Sequence, residues 1–158
     1  MSDAGVQQFA QAVEQMPALL ARLRAAPKHP VAAHPVVPNA PGIYLFSHER
    51  APVYVGQSRK LRNRLRQHTG ATNSHNQASF AFNLAKREAK KAQVDIKRFR
   101  STLELDPKFA PHFDAARVEV ARMNVQFIEV ADPIVRTLFE VYAALALDTV
   151  EFNSFETH

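Results

Sequence analysis

Two tyrosines, an arginine and a histidine stand at spacings from which phosphoryl chemistry can be built. Gly42-Ile43-Tyr44 and Tyr54-Val55-Gly56 place the tyrosines ten residues apart, and use two of the chain's three tyrosines and two of its four glycines. Arg64 follows eight residues after Gly56, and His68 four after that. On a helix those two are neighbours on one face. A guanidinium is a permanently charged planar fork, able to grip a non-bridging phosphate oxygen as charge builds on the phosphorus. An arginine on a basic helix is by default a solvated surface group, and only the flanking tripeptides reverse that default. A phenol, with an ordinary pKa of about 10, serves as a base only where a nearby cation or arginine favours the phenolate. One turn from Arg64, His68 is placed to contact a phosphate or carry a proton, against the plainer reading of a polar surface histidine.

Glu140 stands between Phe139 and Val141 in the middle of an expected helix. A carboxylate buried there needs a partner, and a divalent cation suits it; by periodicity alone it reads equally well as an exposed helix glutamate. Taken together, the two tripeptides, Arg64, Glu140 and Asn153 resemble the GIY-YIG nuclease family, over roughly residues 41–158. The resemblance implies a metal-dependent endonuclease in which one tyrosine activates water and the other orients it, with Tyr44 preferred as the base. It implies that Arg64 stabilises the pentacovalent phosphate and that Glu140 holds a single Mg2+ or Mn2+. Gly42, Gly56, His68 and Asn153 would support the site, Asn153 matching the family's closing asparagine. One departure stands out. Many members carry lysine directly after the second tripeptide, and here the residue is Gln57, which donates a hydrogen bond but no charge; Arg59 or Lys60 are the candidates to compensate.

These residues need elements to hold them. Apolar Ile43, Leu45 and Phe46, a polar turn-prone stretch 47–52, and Val53 and Val55 form a hairpin signal, with both tyrosines near the strand ends. Helices are expected over 59–68, with Leu61 and Leu65 buried, and over 78–93. Residues 71–77 form a polar break, and 101–112, with Pro107 and Pro111, an irregular stretch. A strand over 124–130 is followed by Asp132-Pro133, an N-cap and a first-turn proline, and a helix to about 147 that buries Val135, Leu138, Phe139, Tyr142, Leu145 and Ala146. Before all this, residues 6–25 show helical apolar spacing interrupted by Pro17, and 27–41 hold five of the ten prolines, an extended connector. The fold class expected is α/β: a small three-stranded antiparallel sheet flanked by helices, with an N-terminal helical extension. The division is 1–40 as extension and connector, and 41–158 as the nuclease domain, with a basic helical insertion at about 69–116.

At 158 residues and 46% hydrophobic content the chain suffices for one packed domain. Twenty Lys and Arg oppose fifteen Asp and Glu, a balance that suits a polyanion. DNA is the expected partner, with RNA as the alternative. Phosphate contacts are assigned to Arg59, Lys60, Arg62 and Arg66, with Lys86, Lys90 and Lys91 in a second basic stretch. The absence of cysteine excludes a disulfide scaffold, a thiolate zinc site and a cysteine nucleophile. With no apolar leader and no membrane-length stretch, the expected location is the cytoplasm. Two other classes compete: a non-catalytic nucleic-acid-binding module that keeps the fold, and a protein-interaction domain docking through the 6–23 helix.

Overall fold

A computed structural model describes residues 2–70, 73–75, 78–153 and 155. Residues 71, 72, 76 and 77 of the expected polar break, and Ser154 beside the closing asparagine, lie outside the described residues.

Two helices come first, α1 (Asp3–Glu14) and α2 (Met16–Ala25). Pro17 falls in the first turn of α2, where a missing N–H breaks nothing, so the chain restarts rather than kinks. The connector then contributes β1 (His29–Pro30) and a short 3₁₀ turn, before β2 (Gly42–His48) and β3 (Ala51–Ser58) form the hairpin. After α3 (Leu61–Thr69) and α4 (Ser79–Lys91), two further helices follow, α5 (Arg100–Leu105) and α6 (Ala110–Ala121). β4 (Asn124–Glu129) and α7 (Pro133–Ala146) close the unit, and a last 3₁₀ turn spans Val150–Phe152.

The sheet is antiparallel with order β1-β4-β2-β3. It has four strands rather than three, because His29 and Pro30 pair with Val125 and Asn124 on its outer edge. A proline is tolerated there, where its absent N–H has no ladder to join. The expected irregular stretch at 101–112 is corrected too. Pro107 lies in the short link between α5 and α6, and Pro111 sits in the first turn of α6, so neither interrupts a helix. The hairpin turn is tighter than the polar stretch implied: strands run through His48 and Ala51, leaving Glu49 and Arg50, with Glu49 at φ 48°. Both tyrosines therefore sit mid-strand instead of near the ends, Tyr44 opposite Gly56 and Tyr54 opposite Phe46.

Alternate residues of β2 point to opposite faces, and both faces are covered, which is why the strand is apolar throughout. On one face Tyr44 and Phe46 pack with Leu61, Leu65, Phe80 and Phe113 from α3, α4 and α6. On the other, Ile43, Leu45 and Val55 pack with Leu20 and Leu23 of α2 and Phe139 and Ala143 of α7. Gln126 locks α2 to the sheet by donating to the Leu23, Arg24 and Ala26 carbonyls that end that helix. Asp132 caps α7, accepting from the Ile134 and Val135 amides. Leu145, expected inside, is 67% exposed; the buried face of α7 turns instead through Val135, Arg136, Phe139, Ala143 and Ala144. No helix of the described residues is long and apolar enough to cross a membrane.

Candidate active site

Strand β3 is an edge strand, so the helices on the two faces of the sheet meet around its open side. A cleft of about 430 Å³ lies there, lined by Tyr54, Arg64, Ser79, Asn83, Arg100, Glu140, Asn153 and Phe155. They come from six stretches of chain, Ser79 and Asn83 sharing α4, and Asn153 and Phe155 the stretch after the last 3₁₀ turn. The buried stripe Leu61, Leu65 and His68 turns α3 so that Arg64 emerges half-buried at the rim. Its guanidinium donates to Gln67 Oε1 at 3.1 Å and to Ser79 Oγ at 2.8 Å. Tyr54 lies flat on Phe80, with ring centroids 4.5 Å apart. Asn153 donates to the Val55 carbonyl at 2.7 Å, tying the final 3₁₀ turn to β3, while its buried Oδ1 has no hydrogen-bond partner among the described residues.

Tyr44 occupies a different place from Tyr54. It is 1% exposed and does not line the cleft, and its hydroxyl meets His68 Nε2 at 2.7 Å. Gly56 makes room for it: a Cβ there would stand 2.3 Å from the Tyr44 hydroxyl. Burial pushes the Tyr44 phenol well above its ordinary value. Burial also raises Tyr54, but the Arg64 charge and a hydrogen bond from Tyr44 oppose the rise. His68 is held well below 6.5, by burial first and then by Arg64. It is therefore neutral around pH 7, and its Nδ1 has no partner.

His68 makes stability depend on acid. Between pH 6.5 and its lowered folded value, the unfolded chain holds a proton on this ring that the folded chain lacks. Acidification through that window thus removes stability, by at most ~1.4 kcal/mol per pH unit. Melting temperature measured from pH 7.5 downward is expected to fall less steeply for His68→Gln than for the wild type. Parallel curves would contradict this.

Glu140 faces the cleft from α7, its pKa raised by burial and held back by Gln57. Gln57 Nε2 donates to Glu140 Oε2 at 2.8 Å, and Gln57 Oε1 accepts from Arg136 Nε at 3.1 Å. Arg136 is only 5% exposed, and its other contacts are the Val130 and Ala131 carbonyls. A buried cation thus orients the Gln57 amide so that its N–H end meets the glutamate. Arg59 and Lys60, the expected substitutes for the missing lysine, are exposed on the link into α3 and do not line the cleft.

The remaining basic residues divide. Arg62 and Arg66 lie across the buried stripe from Arg64, beside a separate cavity of about 460 Å³ with Val31, Val37 and Leu65. On α4, Lys86 and Lys90 continue at spacings of three and four from Ser79 and Asn83, extending that side of the helix away from the cleft. Lys91 instead pairs with Glu88 at 3.0 Å.

Residues 40–102 match the family model of the GIY-YIG catalytic domain. The chain carries a GIY-YIG nuclease-family domain. The match takes in both tyrosines, both site glycines, Arg64 and His68, while Glu140 and Asn153 lie beyond it and reach the same cleft through the fold. No curated protein and no solved structure matches the chain. GIY-YIG domains are generally those of endonucleases. Sequence reasoning missed Ser79 and Asn83, which line this cleft, and Arg136, which reaches it through Gln57. Arg136 had a signal, four residues before Glu140 on the apolar side of its helix; the two polar residues of α4 had only their one-turn spacing.

The cleft of this GIY-YIG domain also bears on a metal. Among the described residues no group of three or more His, Cys, Asp or Glu comes together. The half-buried Glu140 carboxylate is a hard oxygen donor, and so sparse a set fits Mg2+, which retains water and takes its other ligands from a substrate phosphate.

Proposed function

We propose that the protein is an endonuclease that hydrolyses DNA phosphodiester bonds in this cleft. The observation that carries the reading is the convergence of Tyr54, Arg64, Glu140 and Asn153, a hundred residues apart at the extremes, on one cleft with two guanidiniums and one carboxylate. A water oxygen attacks phosphorus in line with the departing oxygen, and the water's proton passes to the Tyr54 oxygen. This reverses the sequence preference for Tyr44, because the hydroxyl that reaches the cleft is Tyr54's. Tyr44 stands behind it, its hydroxyl held by His68 Nε2. Arg64 donates to the non-bridging oxygens, where charge grows as the new bond forms. Glu140 would hold a divalent cation such as Mg2+ or Mn2+, which when bound supplies positive charge at the phosphate and its leaving oxygen. Gln57 and Arg136 keep the Glu140 carboxylate turned into the cleft.

The pH profile tests Tyr54 directly. A base acts deprotonated, and the raised pKa leaves only a small phenolate fraction at pH 7, so that fraction grows with each step in pH. The single-turnover cleavage rate is expected to climb from pH 6.5 to 9. Tyr54→Phe is expected to flatten the climb and lower the rate ~10²-fold or more. A climb that survives in Tyr54→Phe would remove this tyrosine from the role.

A further inference from the structure

Five arginines lie between α3 and β4, of which Arg122 is exposed at the end of α6. Three are neutralised: Arg87 pairs with Glu88 at 2.9 Å, Arg117 with Asp114 at 2.9 Å, and Arg98 with Asp106. Arg100 is different. Among the described residues it has no carboxylate partner, and its guanidinium donates to the neutral Asn83 Oδ1 at 2.9 Å and lies 4.9 Å from the Phe82 ring centroid. Arg64 is held in the same way, by neutral Ser79. Ser79 and Asn83 are four apart on α4, so one helical turn presents two uncompensated guanidiniums to one cleft. Burial lowers the Arg100 pKa, and the Tyr54 hydroxyl is close enough to oppose that shift. A half-buried cation without a counter-ion needs an anion from outside. Among the described residues the only carboxylate lining the cleft is Glu140, already engaged by Gln57.

We propose that Arg100 is a second phosphate-binding residue, and that Arg64 and Arg100, held one turn apart by Ser79 and Asn83, grip neighbouring phosphates of a single nucleic-acid strand. That Arg64 takes the scissile phosphate and Arg100 the adjoining one rests on the nuclease reading; that both take phosphates does not. The inserted helices thereby set how the strand enters the cleft. Arg100 fixes its register, and Lys86 and Lys90 continue the basic side of α4.

The test is a salt titration of binding to a labelled single-stranded DNA oligonucleotide in chelator, where no cutting occurs. Each lost phosphate contact lowers the slope of log K against log salt by about 0.7. Arg100→Met is expected to lose about that much, Arg64→Met the same, and the pair both increments. Arg100→Lys keeps the charge and is expected to keep the slope, whereas a merely structural arginine would fail in both variants. Arg98→Ala, whose partner is Asp106, is expected to change nothing. In cleavage, Arg100→Met raises KM more than it lowers kcat. An unchanged slope in Arg100→Met, or a slope lost equally in Arg100→Lys, overturns the proposal. Wild-type protein that binds with the expected slopes but cuts nothing refutes the nuclease reading and leaves the paired phosphate site standing.

Discussion

Arg64→Ala is expected to lower the cleavage rate ~10²–10³-fold, while DNA binding loses only one phosphate contact. The asymmetry follows from what the guanidinium touches. It is half-buried at the cleft rim, held by Ser79 and Gln67 and by no carboxylate among the described residues, so its charge is directed at whatever enters the cleft. The same charge opposes the burial that raises Tyr54. Removing it weakens both the group that receives the developing negative charge and the one that accepts the proton. Two hydrogen bonds near the surface are lost, worth ~1 kcal/mol each, so the fold should survive. Arg64→Lys should recover little, since one ammonium cannot hold Ser79 and Gln67 and still present a planar pair of donors. Circular dichroism melts beside single-turnover rates separate the two effects; an Arg64→Ala protein cutting at the wild-type rate would contradict the assignment.

Gly42→Ala is expected to be the most damaging single change to the fold. A Cβ at this position would stand 2.2 Å from the Ile128 carbonyl oxygen and 2.6 Å from Leu61 Cδ1. Neither can retreat cheaply. The Ile128 oxygen is backbone of β4, held against β2, and Leu61 is wholly buried at the start of α3. Overpacking of this kind costs about 3 kcal/mol where backbone must move, which lowers the melting temperature by roughly 6–12 °C in a chain of this size. Gly70→Ala supplies the contrast. Its nearest neighbour is the Asn73 side-chain amide, at 2.2 Å, which is not backbone and can swing aside at the cost of its bonds to the Arg66 and Gln67 carbonyls. A smaller shift, of a few degrees, is expected. Equal melting temperatures for the two variants would show that β2 and β4 can separate at Gly42.

The hairpin, the helix holding Arg64 and the start of α7 were legible because local signals coincide there with tertiary needs. Asp132-Pro133 caps and opens a helix whatever it packs against. The hairpin's apolar residues face covered layers on both sides of the sheet. What was hidden depends on partners distant in sequence. His29 and Pro30 become a strand only because β4 offers an edge. Pro107 and Pro111 signalled irregular structure because their positions relative to helix starts could not be known. Arg136 looks like any helix arginine until Gln57 arrives from β3, and the ranking of the two tyrosines turns on Gly56 admitting one ring beneath the strand. Arg100 was one of a run of basic residues, separable from Arg98 only by which of them Asp106 reaches.

In the proposed reaction this cleft cuts a phosphodiester with the help of a cation at Glu140. The most direct measurement is cleavage of single-stranded, nicked, branched and duplex DNA by the wild type and Glu140→Gln, each in magnesium, in manganese and in chelator. Cutting by the wild type is expected to require the cation and to disappear in chelator, with Glu140→Gln folded, still binding DNA, and at least ~10²-fold slower. Cutting that persists in chelator, or that Glu140→Gln sustains undiminished, would contradict the proposed reaction.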